Sequence, residues 1–341
     1  MSAIPISGVA WVLLGGILNG SFVLPMKRMP AWRWENIWLP YSVVAMIVAP
    51  WFLAMATVPH LADVYHHGSW SALIKVMLFG FGWGIGSVFF GLGIDKVGMA
   101  LGYAIVLGIT ASFGSLLPLA ILHPQRLLTR QGYALMAGTA LVLVGLVLLS
   151  VAGRRREQET VAPTAPNAKS GFAFGMLLCI LSGIFSAMLN FSFVFGKELT
   201  DSSVSGARAA MSANPVWALA LSAGFLANSA YCGYLLNKNH TWPVFCQGRT
   251  LAYSGGVILM GLVWFGAIVA YGVGAASLGE LGGIVGWPLL MAMTVIAANF
   301  WGALTGEWTR ASRVSRCYWW SGIASLLVAI YVISLGGAGS G

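Results

Sequence analysis

Long apolar segments alternate with short polar ones along the whole 341-residue chain. Ten stretches contain no Lys, Arg, Asp or Glu, and each reaches the roughly 18 to 20 residues that a helix needs to cross about 30 Å of hydrocarbon. These stretches are residues 1–26, 36–62, 76–94, 97–125, 131–153, 170–196, 209–237, 250–279, 281–306 and 317–341. The pattern predicts an all-α integral membrane protein with ten transmembrane helices.

The composition agrees with this pattern, since 58% of residues are hydrophobic and only 8% are charged, against roughly a quarter charged in a soluble domain. The spans leave no room for a sizeable soluble domain. The first span has no basic residue before it and no small-residue cleavage pattern after it. We therefore expect it to be retained and not cleaved as a signal peptide.

The net charge of +9 comes from Lys and Arg spread over the loops, which favours a role in membrane orientation over binding of nucleic acid. The loops after helices 1, 3, 5, 7 and 9 carry thirteen of the 18 basic residues, and the other loops carry five. Basic loops stay in the cytoplasm. This bias predicts that both termini lie on the periplasmic side.

Residues 154–170 are polar and rich in Pro and Ala, which predicts a linker between two five-helix halves, 1–153 and 171–341. When the sequence is aligned with itself at an offset of 181 residues, several identical residues are paired. The matches are Gly80 with Gly261, Trp83 with Trp264, Gly91 with Gly272, Gly93 with Gly274, Gly98 with Gly279, and Gly102 with Gly283. Because each half has an odd number of helices, the two halves are predicted to be inverted repeats.

The glycine-rich stretch "LFGFGWGIGSVFFGLGIDKVG" (78–98) lies in a charge-free span and lacks the Walker pattern of a phosphate loop. Two interpretations remain. The glycines allow close helix packing, or they combine packing with a pathway role in which the helix unwinds at mid-membrane and exposes its backbone to a substrate.

Several stretches are similar to those of a known transporter family. They read "FGFGWGIG" and "GLGIDKVGMALGYAIVLGIT" (within 79–110), "MPAWRWENIW" (29–38), "GIFSA" (183–187), "LMGLVWFGAIVAYGVG" (259–274) and "GEW" (306–308). With the length and the ten-span layout, they resemble the L-rhamnose/proton symporter family of the drug/metabolite transporter superfamily. The resemblance implies a secondary transporter of the bacterial inner membrane that takes up a deoxy sugar with a proton. The start of the ninth helix, "ELGGIVGWP" (280–288), departs from the family's pattern, so another small metabolite, taken up or exported, is the alternative.

Proton coupling requires an acid that titrates while it is exposed to the two sides in turn. Glu280 is the first candidate, because it interrupts an otherwise charge-free run from 250 to 306. Asp95 adjoins Lys96, Glu307 lies at a helix end, and Glu35 follows the Trp-x-Trp motif at the mouth of the second helix. For each of these three, pairing with interfacial charges is the alternative role, and for Glu280 it is a solvated loop.

A sugar is bound by hydrogen bonds to its hydroxyls and by aromatic rings packed on its C–H face. The candidate amides are Asn19 and Asn190, expected at similar depths of equivalent helices, and Asn299. The candidate stacking residues are Trp83, Trp264, Tyr103, Tyr271 and Trp287. Hydrogen bonds between helices are the alternative role for the amides, and anchoring at the lipid interface is the alternative for the aromatic residues.

No cofactor or metal is predicted. The stretch "HLADVYHHG" (60–68) has no recognised zinc spacing, and the four cysteines show no paired spacing. A membrane-embedded enzyme would need catalytic groups clustered inside the spans, and a passive channel fits poorly with inverted repeats. The sequence therefore predicts a non-enzymatic, proton-coupled sugar transporter whose partners are a small sugar, a proton and the lipid bilayer.

Overall fold

The computed structural model describes residues 6–160 and 171–337, which form a bundle of α-helices. Ten helical segments are long and apolar enough to cross a membrane, and we number them span 1 to span 10. Their helical bounds are Ile6–Ser21, Trp34–Thr57, Trp70–Val97, Met99–Leu122, Arg130–Thr160, Phe172–Phe195, Asn214–Lys238, Thr250–Ser277, Gly282–Leu304 and Arg313–Gly337. The predicted all-α fold with ten transmembrane helices is confirmed.

Successive spans run in opposite directions, so the bundle has two end faces. The amino-terminal face holds Ile6 at the start of span 1, and the linker face holds Thr160 and Phe172, at the end of span 5 and the start of span 6. Short helices cover both faces. Leu61–His67, Pro124–Arg126, Lys197–Thr200, Ser202–Ser205 and Ala209–Met211 lie on the amino-terminal face, and Leu24–Arg28 and Trp242–Cys246 lie on the linker face.

The spans extend beyond the charge-free stretches, because charged residues occupy their terminal turns. Span 3 runs over Trp70–Val97 and includes Lys75 and Lys96. Span 5 continues to Thr160, so residues 154–160 are helical and the predicted linker begins too early. The rest of that linker, 161–170, lies outside the described residues.

Span 3 and span 8 are continuous α-helices, Trp70–Val97 and Thr250–Ser277. The alternative of a glycine-rich helix unwound at mid-membrane is therefore wrong for them. A Cβ atom at Gly80 would collide with the backbone carbonyl of Ala220 in span 7, so that glycine permits close helix contact. The irregular backbone lies instead in span 2, where residues Val44–Val48 form a π-helix.

The packing of the spans is related between the two halves. Span 3 packs on span 6 as span 8 packs on span 1, span 4 packs on span 6 as span 9 packs on span 1, and span 5 packs on span 10. Gly98 ends span 3 with φ of +96°, and Gly279 follows span 8 with φ of +79°. Both glycines of this matched pair therefore have a positive φ, which favours glycine.

Candidate substrate and proton site

Five aromatic rings from spans 1, 2, 3 and 8 meet between the middle of the bundle and the linker face. Trp83 and Trp264 stack with ring centroids 5.5 Å apart and an interplanar angle of 20°. Tyr41 lies 6.3 Å from Trp264, and it packs against Trp38 and Phe22 at 4.9 and 5.4 Å. We call these five residues the linker-face aromatic cluster. Trp83 and Trp264 are the pair matched in the predicted repeat.

Two amides lie close to this cluster. The Oδ1 of Asn228 accepts hydrogen bonds from Trp38 Nε1 at 3.2 Å and from Ser87 Oγ at 3.0 Å. Asn19 precedes Phe22 by one turn, and its Nδ2 donates to Thr294 Oγ1 at 3.1 Å. Asn19, Trp38 and Trp83 are only partly buried, whereas Tyr41, Trp264 and Asn228 are at most 6% exposed. Aromatic faces and amides that remain accessible are the groups that a monosaccharide site requires.

A second group of four rings lies near the amino-terminal face, and we call it the amino-terminal-face aromatic cluster. Phe193 stacks on Trp217 at 5.3 Å and meets the edge of Tyr271 at 5.9 Å. Tyr271 in turn meets Trp287 at 5.5 Å. All four side chains are at most 7% exposed, so this end of the bundle is sealed.

Hydrogen bonds fasten this sealed end. The Nδ2 of Asn190 donates to the carbonyl oxygens of Gly114 and Gly283 at 2.9 and 3.0 Å, and its Oδ1 accepts from the Tyr271 hydroxyl. The Trp287 indole donates to the carbonyl of Thr110 at 2.9 Å. An amide has two donors, so both donors of Asn190 are occupied in this conformation and its role here is helix packing.

The expectation that Asn19 and Asn190 lie at similar depths is wrong. Asn19 contacts Thr294 and Asn190 contacts Gly283, both in span 9. The eleven helical steps from Gly283 to Thr294 correspond to about 16 Å along a helix. Asn19 therefore lies nearer the linker face and Asn190 nearer the amino-terminal face.

Two further candidates lie outside both clusters. Tyr103 is exposed near the linker-face end of span 4, where its ring packs on Phe90 at 4.9 Å. The Nδ2 of Asn299 donates to the carbonyl of Val295 within span 9, and its Oδ1 accepts from Trp319 Nε1 of span 10 at 3.0 Å. Asn299 therefore links two helices in this conformation.

Glu35 is the only buried acid of the nine in the chain, all of which lie in the described residues, with 5% of its surface exposed. Its Oε1 accepts hydrogen bonds from Asn239 Nδ2 at 3.0 Å and from Thr241 Oγ1 at 2.8 Å. In residues 6–160 and 171–337, no basic nitrogen lies within 4.0 Å of its carboxylate. The expectation that Glu35 forms an interfacial ion pair is therefore wrong, because uncharged donors of the segment after span 7 hold it.

Glu307 follows span 9 on the linker face and forms ion pairs with Lys27 and Arg156, each at 3.1 Å. Partial burial raises the pKa of Glu307, but its hydrogen bonds and charge attraction to these cations outweigh that effect. The net pKa lies below the ordinary value, and the carboxylate joins the ends of spans 1 and 5 to the loop between spans 9 and 10.

Glu280 lies on the amino-terminal face between spans 8 and 9, with 63% of its side chain exposed. Its Oε1 is 3.8 Å from His123 Nδ1, and Lys197 Nζ donates to its backbone carbonyl at 2.8 Å. It therefore has basic neighbours that are distant in sequence. Asp95 is exposed in the last turn of span 3.

Trp38, Tyr41 and Asn228 belong to the candidate site but were not predicted from the sequence. Trp38 follows Trp34 of the Trp-x-Trp motif by one helical turn and stacks on it at 5.1 Å, which is the one local signal that marks it. The segment around His66 forms the short helix Leu61–His67. In the part of the chain that the structure describes, no three His, Cys, Asp or Glu side chains could together hold a metal ion.

Comparison with known proteins identifies the family. A family model described as L-rhamnose-proton symport protein (RhaT) matches residues 1–339. The chain is similar to proteins named L-rhamnose-proton symporter, with 28% identity to that of Klebsiella pneumoniae subsp. pneumoniae and 27% to that of Salmonella typhi. Each alignment covers 96% of this chain and 97% of the relative. The chain is a multi-pass membrane protein that belongs to the L-rhamnose-proton symport protein family.

Proposed function

We propose that this protein takes up L-rhamnose together with a proton across the bacterial inner membrane by alternating access. The observation that carries the proposal is the family match over residues 1–339. The names of the relatives support a sugar and a proton as substrates, and they favour uptake of a sugar over export of another metabolite. The excess of basic residues in the loops of the linker face supports a cytoplasmic position for that face.

The geometry supports a site for the sugar at the linker-face aromatic cluster. Trp83 would pack on the C–H face of the sugar ring and Asn19 would bind a hydroxyl, since both are partly exposed. Trp264 and Asn228 are buried behind them and would join the site only if the helices move. The amino-terminal-face cluster is closed at the same time, as alternating access requires. We also propose that the halves 1–153 and 171–341 are inverted repeats. The corresponding span contacts of the two halves and the positive φ angles of Gly98 and Gly279 support this proposal.

Glu35 is our proposed coupling acid. Two donors on one oxygen stabilise a carboxylate anion, and both come from Asn239 and Thr241, next to the end of span 7. Glu35 lies in the first turn of span 2, so a movement that separates these two ends would remove both donors at once. A buried anion without donors favours protonation, which links the movement to uptake of a proton.

Uptake by proteoliposomes tests the function and the acid together. Wild-type protein with an imposed inward proton gradient should accumulate labelled L-rhamnose. Glu35→Gln should lose accumulation but keep exchange of labelled for unlabelled L-rhamnose, because exchange needs no net proton movement. Glu280→Gln is the matched control and should accumulate normally. If Glu280→Gln loses accumulation and Glu35→Gln retains it, Glu280 is the coupling acid. If the wild-type protein does not transport L-rhamnose, the proposed substrate is wrong.

A further inference from the structure

A groove of about 380 Å³ opens between spans 4 and 5, away from both aromatic clusters. Ala104 and Ile105 line it from span 4, and Leu143 and Val147 line it from span 5. A Cβ at Gly108 would press on Leu143, so the two spans touch at the deep end of the groove. Toward the linker face the groove ends at Arg154.

The groove has the length of one bilayer leaflet. Its lining on span 5 extends from Leu143 to Arg154, and these eleven helical steps correspond to about 16 Å. Half of a hydrocarbon core of about 30 Å is about 15 Å. An acyl chain lying in the groove would therefore begin at the level of Arg154 and end near the middle of the membrane.

The mouth of the groove carries positive charge. Val151 and Arg154 also line an adjoining pocket of about 540 Å³, together with Arg155, Gln158 and Glu159. Within residues 6–160 and 171–337, Arg154 forms no ion pair. Arg155 lies over the ring of Tyr318 at 5.2 Å, a contact that leaves its charge in place.

The one acid in this pocket is already engaged by donors. The carboxylate of Glu159 accepts hydrogen bonds from the amide nitrogen and the hydroxyl of Ser312 and from the hydroxyl of Ser315, at 2.6 to 2.8 Å. The Arg155 charge attracts this carboxylate, but in the described residues neither Arg154 nor Arg155 forms an ion pair with it within 4.0 Å. Arg154, and to a lesser degree Arg155, can therefore contact an incoming anion.

A hydroxyl lies one helical turn deeper than these arginines. Ser150 lines the groove, is only partly buried, and forms no side-chain hydrogen bond with any residue of the described ranges. In a glycerophospholipid the ester carbonyls lie just below the phosphate. A lipid whose phosphate contacts Arg154 would present an ester carbonyl as an acceptor for this hydroxyl.

We propose that the groove between spans 4 and 5 binds one anionic phospholipid of the linker-face leaflet, with its phosphate at Arg154 and Arg155 and one acyl chain along the groove. The match of length selects a lipid over a soluble anion, and the two arginines select an anionic headgroup over a zwitterionic one. The site is separate from the proposed sugar pathway, so the proposal does not depend on the transported substrate.

Native mass spectrometry of the full chain in detergent, titrated with phosphatidylglycerol or phosphatidylcholine, tests the headgroup. Wild-type protein should bind one phosphatidylglycerol more tightly than phosphatidylcholine. Since a basic residue near the membrane surface contributes about 1 kcal/mol to binding of an anionic lipid, Arg154→Gln should weaken phosphatidylglycerol about fivefold. Arg249→Gln removes the same charge from the start of span 8 on the same face and should have no such effect. Equal weakening by both variants would contradict the site.

A second pair of variants tests the acyl chain. Val147→Phe fills the groove, whereas Val144→Phe adds the same bulk to an exposed position of span 5 outside the groove lining. Only Val147→Phe should lower the occupancy of phosphatidylglycerol. Inorganic phosphate at the same concentration should not compete. If phosphate competes and Val147→Phe binds phosphatidylglycerol normally, the arginines bind a soluble anion and the proposal is wrong.

Discussion

The two aromatic clusters contain similar side chains but differ in burial and in the hydrogen bonds around them. Near the amino-terminal face, Asn190, Tyr271 and Trp287 direct their polar atoms into hydrogen bonds with one another and with the backbone. Near the linker face, Asn228 is 2% exposed, accepts hydrogen bonds from Trp38 and Ser87 and donates one to the carbonyl of Gly224. All four rings of the first cluster are buried, whereas Phe22, Trp38 and Trp83 of the second remain partly exposed.

Span 9 shows the same difference within one helix. Every residue from Leu281 to Ala292 is buried, whereas Met293, Thr294 and Asn299 are partly exposed. Because a helix buried all round is held by its neighbours, the half of span 9 near the amino-terminal face has no accessible side in this conformation. Alternating access would require this half to become exposed while the other half closes.

The largest expected effect is loss of the seal. Asn190→Ala leaves the carbonyls of Gly114 and Gly283 with fewer donors, and an unsatisfied buried polar group costs about 1 to 3 kcal/mol. We expect unfolding free energy in detergent to fall by about 2 kcal/mol. Asn228→Ala should cost less, because its donors Trp38 and Ser87 are partly exposed, whereas Gly114 and Gly283 are buried. If thermal denaturation shows that both variants lose the same stability, the two ends of the bundle are equally closed and the comparison is wrong.

A smaller effect is expected on sugar recognition. Trp83→Ala removes a ring that would pack on the sugar, and we assign this contact about 0.5 to 1.5 kcal/mol, the contribution of an aromatic pair. The sugar concentration for half-maximal exchange should therefore rise by up to about tenfold. Tyr103→Ala, which lies outside both clusters, is the control and should behave as wild type. An unchanged value for Trp83→Ala would remove the linker-face cluster from the site.

The smallest effect belongs to the ion pairs of Glu307 with Lys27 and Arg156. Their side chains are 22 to 53% exposed, so solvent screens them and Glu307→Gln should cost about 0.5 kcal/mol. A carboxylate whose folded pKa is lowered contributes stability above its ordinary value of 4.5, and this contribution is lost as pH falls through the folded pKa. Melting temperatures of variant and wild type should differ at pH 7 and converge once the pH falls below the folded pKa; a difference that persists at low pH would contradict a charge effect.

Much of the fold could be predicted because the bilayer imposes one simple rule on the sequence: a span needs roughly 18 to 20 consecutive uncharged residues. The ten charge-free stretches correspond to the ten spans. The predicted bounds are too short where a terminal turn carries a charge, as Lys75 and Lys96 do in span 3. The rule also ended span 5 at Arg154, although the helix continues through three arginines to Thr160. Charges at the ends of spans are tolerated in the interfacial region, which the rule does not include.

The site was only partly predictable. Trp83 and Trp264 were singled out by their repeat relation, and they do stack. The environment of Glu35 depends on Asn239 and Thr241, more than 200 positions away in sequence, and no local pattern announces that contact. For the same reason the sequence marked Glu280 as isolated, whereas folding brings His123 close to it.

In the proposed transport cycle, this conformation has its linker-face half open to bind the sugar while the other half is closed. Single cysteines at Thr294 and Val285, in a background without the four native cysteines, test it directly with a membrane-impermeant maleimide applied to oriented vesicles. We predict that Thr294→Cys reacts only from the linker face and that L-rhamnose slows the reaction, while Val285→Cys reacts slowly from both faces. Rapid labelling of Val285→Cys from the amino-terminal face, or labelling of Thr294→Cys that L-rhamnose leaves unchanged, would contradict the account.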